Sequence, residues 1–329
     1  MLYALSKKDL SGWLEKLAQK YQLFVPISPD GFGPYQGQKP YLEGKTKLSA
    51  KEFFLPAREE MLRFQAVPSA LPEKITPLTQ EVVVFGVRPC DAKGVSLIEK
   101  VFERDEFFKV RRERTYLIGY LCPHPGRDCF CGSMGVDPFS GQGLEILMVE
   151  EDERFLIKTF SEKGKDLVVL SPAKEATEEE KELFDQKKES FLRQFKPAPV
   201  LEKLKEKDLL AIYKAPFWEE IAFACINCGT CTFLCPTCYC FDVQDEVVGQ
   251  EGVRVRLWDA CMFSLYSQHA SGHNPRRHPA ARFRNRFMHK FKYFLDLYGE
   301  PLCVGCGRCL EECPANINLW EVITKMAED

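Results

Sequence analysis

Two stretches decide how this chain is read: Cys225-Ile226-Asn227-Cys228-Gly229-Thr230-Cys231-Thr232-Phe233-Leu234-Cys235-Pro236 and Cys303-Val304-Gly305-Cys306-Gly307-Arg308-Cys309-Leu310-Glu311-Glu312-Cys313-Pro314. Both follow C-x2-C-x2-C-x3-C-P, a spacing with which thiolates hold [4Fe-4S] clusters. Three cysteines at i, i+3 and i+6 let one short loop wrap three corners of an iron–sulfur cube. The fourth iron must be reached from elsewhere. The last cysteine of each run, followed by proline, is carried into a new helix, where proline is tolerated at an early position.

In bacterial-type two-cluster ferredoxin runs the last cysteine ligates the other run's cluster. The spacing therefore predicts one cluster on Cys225, Cys228, Cys231 and Cys313, and a second on Cys303, Cys306, Cys309 and Cys235. Gly229, Gly305 and Gly307 have no Cβ, so backbone N–H groups can approach the cluster sulfurs and adjust their reduction potential. Disulfides do not suit cysteines this crowded, which cannot all pair with good geometry. Structural zinc suits C-x2-C, but it does not account for eight cysteines in two matching runs that each end in Cys-Pro.

Working outward, 329 residues with 45% hydrophobic and 28% charged side chains are enough for two globular domains. A formal net charge of −3 gives no argument for nucleic acid or a membrane surface as partner. No run of 18 apolar residues is present, so no membrane span is expected. The first residues, Met1 to Lys8, lack the apolar core of a signal peptide. Fifteen cysteines without an export signal point to metal ligation in a reducing cytoplasm. There is no G-x-G-x-x-G for a dinucleotide and no Walker loop.

Upstream of the runs the pattern is α/β. Residues 81–87 form a continuous β-branched apolar run, read as a buried strand. A helix over 92–102 and a second buried strand over 115–121 complete a βαβ unit with a parallel pair. Cys90 and Cys122 then lie just past the C-terminal ends of neighbouring strands, where open α/β sheets place their ligands. Cys129 and Cys131 follow shortly after. Counting and topology predict a third cluster, a further [4Fe-4S], on Cys90, Cys122, Cys129 and Cys131; structural zinc and unligated packing thiols are the alternatives. Ser6 reads as the N-cap of a helix over 7–20. A strand over 22–27 and a helix through Phe53 to Phe64 follow. Residues 144–149, 154–159 and 167–170 read as a meander, and 178–195 as a charged helix with one apolar stripe.

The expected organisation is α+β: an N-terminal α/β domain (1–172), a helical linker (173–215) and a mostly helical two-[4Fe-4S] ferredoxin-like domain (216–329) with an insertion at 237–302. The insertion holds the three remaining cysteines, Cys238, Cys240 and Cys261, with His269 and His273. They read either as small side chains packed beside the second cluster or as a further metal or substrate site. From Ala260 to Leu295 there is no Asp or Glu, while Arg282, Arg286, Lys290 and Lys292 interleave with Phe283, Phe287, Phe291 and Phe294. Such a face is solvated, or it offsets anionic clusters and docks an acidic partner.

The more specific motifs are Arg88-Pro89-Cys90-Asp91, Asp128-Cys129-Phe130-Cys131-Gly132-Ser133-Met134-Gly135, Cys235-Pro236-Thr237-Cys238-Tyr239-Cys240, Trp258-Asp259-Ala260-Cys261-Met262 and the stretch His269 to Arg276. With the cysteine runs they span roughly residues 80–320. On these residues the chain resembles the iron–sulfur electron-transfer subunits of the family that includes sulfhydrogenase (cytosolic NiFe hydrogenase) beta subunits and anaerobic sulfite reductase A subunits. The resemblance implies a non-catalytic subunit that relays electrons between an FAD/NAD(P)-binding subunit and a terminal redox enzyme, a hydrogenase or a sirohaem reductase. It adds weight to the third cluster. The rival expectations are a catalytic iron–sulfur subunit with its substrate at Cys238, Cys240 and Cys261, and a metal-stabilised scaffold.

Overall fold

Val82-Val83-Val84-Phe85-Gly86-Val87 is buried at every position, as a strand covered on both faces must be. In the computed structural model, which describes residues 1–65, 71–78, 80–123, 125–194 and 199–328, this strand sits well inside an eight-stranded sheet. Among the described residues the strands are β1 (Leu2–Ser6), β2 (Gln22–Pro26), β3 (Phe32–Pro34), β4 (Arg58–Gln65), β5 (Glu73–Lys74), β6 (Val82–Val87), β7 (Thr115–Tyr120), β8 (Ile146–Glu151), β9 (Arg154–Thr159), β10 (Lys174–Glu175), β11 (Phe241–Val248) and β12 (Glu251–Trp258). The large sheet runs β10-β1-β9-β8-β7-β6-β2-β3. Its centre is parallel: β2 with β6, β6 with β7 and β7 with β8. The flanks are antiparallel.

The expected βαβ unit is present. Pro89 opens the helix Pro89–Val101 directly after β6, where its fixed φ suits the first helical position. A second crossover helix, Glu106–Arg114, carries the Asp105 side chain as its N-cap. Apolar clusters lie on both faces of the sheet. One gathers Val84, Leu117, Leu147 and Phe184, the other Trp13, Phe85, Ile118 and Met148. The first helix is a 3₁₀ turn, Lys7–Asp9, capped by Ser6, continuing as Leu10–Lys20.

Two expected elements are corrected. Residues 53–64 do not form a helix: a 3₁₀ turn ends at Phe53 and β4 begins at Arg58. β4 pairs with β12, from the insertion, so a partner distant in sequence sets its conformation. Residues 167–170 are not a third meander strand. Leu167 and Val168 are buried on the helix Glu162–Val169, whose N-cap Ser161 accepts from Gly164 N at 3.0 Å. The charged helix is Glu178–Leu192, opened by a Thr177/Glu180 capping box. The expected end of that helix at Phe195 lies outside the described residues.

The insertion is not purely helical. β11 and β12 form a hairpin that joins β4 and β5 in a four-stranded antiparallel sheet, order β11-β12-β4-β5. One sheet thus draws strands from both halves of the chain. The rest of the insertion is the helix Pro279–Met288, a π-helical turn His289–Tyr293 and the helix Phe294–Tyr298. Their apolar side packs with Trp218, Val322 and Met326 in a C-terminal core. The architecture is α+β.

Candidate iron–sulfur centres

Cys225, Cys228, Cys231 and Cys313 line one cavity, walled also by Cys309, Met262, Phe283 and Phe287. Burial raises the Cys225 thiol, as do the nearby sulfurs of Cys231, Cys313 and Cys228. The last cysteine of the second run therefore sits with the first three of the first run. The reciprocal exchange is also present. Cys303, Cys306 and Cys309 are each raised chiefly by burial, Cys303 to about 12, and each feels the sulfur of Cys235.

Cys90, Cys122, Cys129 and Cys131 line another cavity, to which Gly305 and Cys306 also belong. Strand ends deliver the first two. Cys90 lies in the first turn after β6, and Cys122 two residues past β7. The loop carrying Cys129 and Cys131 lies directly on the second run: Phe130 N donates to Gly305 O at 2.8 Å, and Cys129 Sγ lies 3.5 Å from Cys306 O. Gly305 and Gly307 have φ of +60° and +78°, and a Cβ on either would come within 2.6 Å of the backbone of 128–131. The sequence assigned these glycines to cluster hydrogen bonds. Gly305 N does donate to Cys303 Sγ at 3.5 Å, and both residues are also needed for loop-on-loop approach.

These sites suit a cluster better than a lone ion. Among the described residues no three Cys, His, Asp or Glu side chains converge tightly enough to hold a single metal ion. Four thiols spread round a cavity match a cube with iron at its corners, whereas tetrahedral zinc needs its ligands on one point. Buried thiols resist ionising, and thiolate ligation requires nearby positive charge or metal.

The surroundings supply that charge, partly through the basic stripe of the insertion and partly through residues, Lys45 and Lys51 among them, to which the sequence reading gave no role. Arg88 donates to the carbonyls of Leu42 and Gly44 at 2.7 and 2.6 Å and to Leu121 O at 3.2 Å, pinning the loop and strand end around Cys90 and Cys122. Asp91 accepts two hydrogen bonds from Arg308, at 2.5 and 2.8 Å, so a buried ion pair ties the βαβ unit to the second run. Lys45 Nζ lies 3.3 Å from Cys129 Sγ and 2.5 Å from Glu311.

Further along, Arg286 donates to Cys231 O at 2.6 Å and to Cys238 Sγ at 3.1 Å. Lys290 donates to Cys235 Sγ at 3.2 Å and to Thr237 Oγ1 and Leu302 O, both at 2.8 Å. Burial opposes its charge, but the neighbouring Cys235 and Cys238 sulfurs hold it well above the usual lysine range. Lys51 stacks 4.0 Å over the Trp258 ring and donates to Cys238 O at 3.1 Å. The basic stripe is therefore turned inward and not solvated: Arg286 and Lys290 meet sulfur, while Arg282 and Lys292 are buried on carbonyls, Lys292 also pairing with Asp296. The stripe's four-residue spacing, Arg282, Arg286, Lys290, was the signal available in the sequence.

Cys238 N donates to Cys235 O at 3.4 Å, and Cys240 packs against the core that holds Cys261. His269 and His273 are exposed, pairing edge-on with each other in a turn closed by His269 N to His273 O at 2.8 Å. No histidine joins the three spare cysteines in a single-ion site among the described residues.

Residues 224–317 match the 4Fe-4S dicluster domain family. The class follows: an iron–sulfur protein of the electron-transfer type, carrying two [4Fe-4S] clusters in its C-terminal part. Over 300 residues the chain is 33% identical to Sulfhydrogenase 2 subunit beta of Pyrococcus furiosus, covering 86% of this chain and 84% of that protein. The chain belongs to the sulfhydrogenase beta subunit family. No solved structure matches it. Among the described residues no helix is long and apolar enough to cross a membrane.

Proposed function

We propose that the chain is a cytoplasmic relay subunit with three [4Fe-4S] clusters, passing electrons between an FAD/NAD(P)-binding subunit and a terminal redox enzyme of hydrogenase or sirohaem reductase type. The ligands are Cys225, Cys228, Cys231 and Cys313 for the first cluster and Cys303, Cys306, Cys309 and Cys235 for the second. Cys90, Cys122, Cys129 and Cys131 hold the third. Each cluster supplies one-electron redox chemistry when bound.

The observation that carries the reading is the contiguity of the three thiol sets. The third meets the second where Cys129 Sγ approaches Cys306 O, and Cys90 feels the Cys306 sulfur. The second meets the first across Arg286, which feels the sulfurs of Cys231, Cys235 and Cys309 together. The wire therefore runs third, second, first. Cys228 is exposed at the far end, beside Ile226 at 67% and Phe223 at 92% exposure, which suits contact with another subunit. The relative's name as a beta subunit also supports a place in a multisubunit oxidoreductase.

Iron analysis of anaerobically purified protein tests the cluster count. Three cubes require roughly twelve irons, and two require roughly eight. Cys122→Ser is expected to remove about four while the EPR signals of the other two clusters persist. Bound zinc, or about eight irons in the wild type, sinks the third cluster. Silence of the EPR spectrum after dithionite would instead indicate a scaffold. Co-purification of a flavoprotein together with a hydrogenase or sirohaem subunit tests the partners.

A further inference from the structure

Two cysteines lie outside all three thiol sets and face each other. Cys240 precedes β11 and Cys261 follows β12, so the hairpin closes on them. Its last paired rung is Phe241 with Trp258, and Asp259 N then donates to Cys240 O at 3.0 Å. The two thiols share one buried cluster, and each shifts the other's ionisation. Tyr266 and Arg286 lie within electrostatic reach of the pair. Cys261 is 6% exposed. Cys238, the third spare cysteine, is held differently, between Cys235 and the Arg286 guanidinium. The same Arg286 reaches Cys231 O at 2.6 Å, so the pair adjoins the junction of the first and second centres.

We infer that Cys240 and Cys261 form a redox-active dithiol, reversibly oxidised to a disulfide that exchanges electrons with the adjoining iron–sulfur centres. This rests on the reading above that those centres carry clusters. On reduction the S–S bond takes up two electrons and one proton and breaks, leaving one thiolate and one thiol. The electrons come singly from reduced [4Fe-4S] clusters, which return to their oxidised state. The proton is shared within the buried pair, and the charge of Arg286 favours the thiolate that remains. Oxidation reverses each step. A chain of one-electron carriers thereby gains a two-electron store, which matches it to a two-electron hydride carrier at one end.

The test uses the holoprotein, prepared anaerobically and poised either with the mild oxidant thionine or with dithionite. Each sample is quenched in acid, alkylated, digested and weighed by mass spectrometry, alongside an EPR spectrum of the poised protein. The oxidised sample is expected to yield a Cys240–Cys261 linked peptide, and the reduced sample both cysteines alkylated. In coulometric titration Cys261→Ser and Cys240→Ser should each accept two electrons fewer than wild type, with unchanged cluster EPR signals. Full alkylation of both thiols in oxidised protein whose cluster signals are intact overturns the dithiol and leaves the relay standing. Absence of cluster signals from the wild type overturns both. Should a serine variant fail to fold, the wild-type peptide map alone decides.

Discussion

At one end of the thiol array, two of the three cations beside the sulfurs have a carboxylate, and the third, Arg88, bonds only carbonyls. Arg308 and Asp91, each with a side chain 1% exposed, form a bidentate pair beside Cys90 and Cys306, and Lys45 near Cys129 holds Glu311. At the other end none does. Lys51, Arg286 and Lys290 are buried beside Cys231, Cys235 and Cys238, and no carboxylate pairs with any of them among the described residues; they bond carbonyls, hydroxyls and sulfur. A buried charge with no counter-charge is expensive. The second set is therefore balanced only by thiolate and cluster charge, so its stability depends on loading, whereas Arg308 and Lys45 are balanced by the chain itself.

The largest effect should come from breaking the self-balanced end. Asp91→Ala strands a fully buried guanidinium and is expected to destabilise the anaerobic holoprotein by about 3–5 kcal/mol in denaturant unfolding. Adding Arg308→Met should recover much of that loss, because an apolar replacement of a buried pair is often neutral. A loss under about 1 kcal/mol for Asp91→Ala alone would mean that solvent or the Lys45–Glu311 pair screens Arg308, and the contrast between the two ends would fall.

At the other end the readout is a potential. Lys290→Met removes a buried positive charge 3.2 Å from a predicted ligand sulfur of the second cluster. At an effective dielectric near 20 the lost attraction is about 1–3 kcal/mol, which lowers a one-electron potential by roughly 50–150 mV. Spectroelectrochemistry of the second cluster checks this. The same change at Lys45, Lys45→Met, should move the third cluster less, since the Lys45 and Glu311 side chains are 15% and 32% exposed and solvent screens the lost charge. Equal shifts at the two ends would remove the distinction.

The same contrast separates what the sequence could tell from what it could not. The grouping of the eight ferredoxin cysteines was legible because three of each set come from one short loop, and the crossover of Cys235 and Cys313 is a rule of that motif. The parallel pair β6 and β7 was legible because buried strands read as continuous apolar runs. Cys90 and Cys122 followed from where such strands end. The balancing charges were not legible. Whether Arg286 faces solvent or sulfur depends on the face that the helix Pro279–Met288 buries, and the aromatic stripe Phe283, Phe287, Phe291 runs beside the basic one with the same spacing. β4 was lost for a related reason. Met61, Leu62 and Phe64 permit helix or strand, and only the β11–β12 hairpin decides between them. Residues 167–170 have strand-like composition, yet Ser161 starts a helix ahead of them, and Gly164 lets that helix lie against the backbone of Glu145, where a Cβ would meet Glu145 O at 2.3 Å.

The smallest expected effect concerns a neutral member of the basic stripe. His289 lies between Arg286 and Lys290 and hydrogen-bonds Tyr239 through Nε2 at 2.9 Å. Burial first, then the two neighbouring cations, lower its pKa to about 4. In the unfolded chain a histidine titrates near about 6.5. The folded value is thus the depressed one: stability is fully present above about 6.5 and is lost as pH falls toward about 4, because the unfolded chain binds a proton that the folded one refuses. Near pH 5.5 the loss is roughly 1 kcal/mol. Unfolding midpoints of wild type and His289→Gln, compared from about pH 7.5 to about pH 5, should differ in slope by up to one proton, with the wild type the steeper. Parallel slopes would mean that His289 takes its proton in the folded state. That requires anionic charge nearby strong enough to override Arg286 and Lys290, and it would show the loaded clusters balancing this end of the array more than fully.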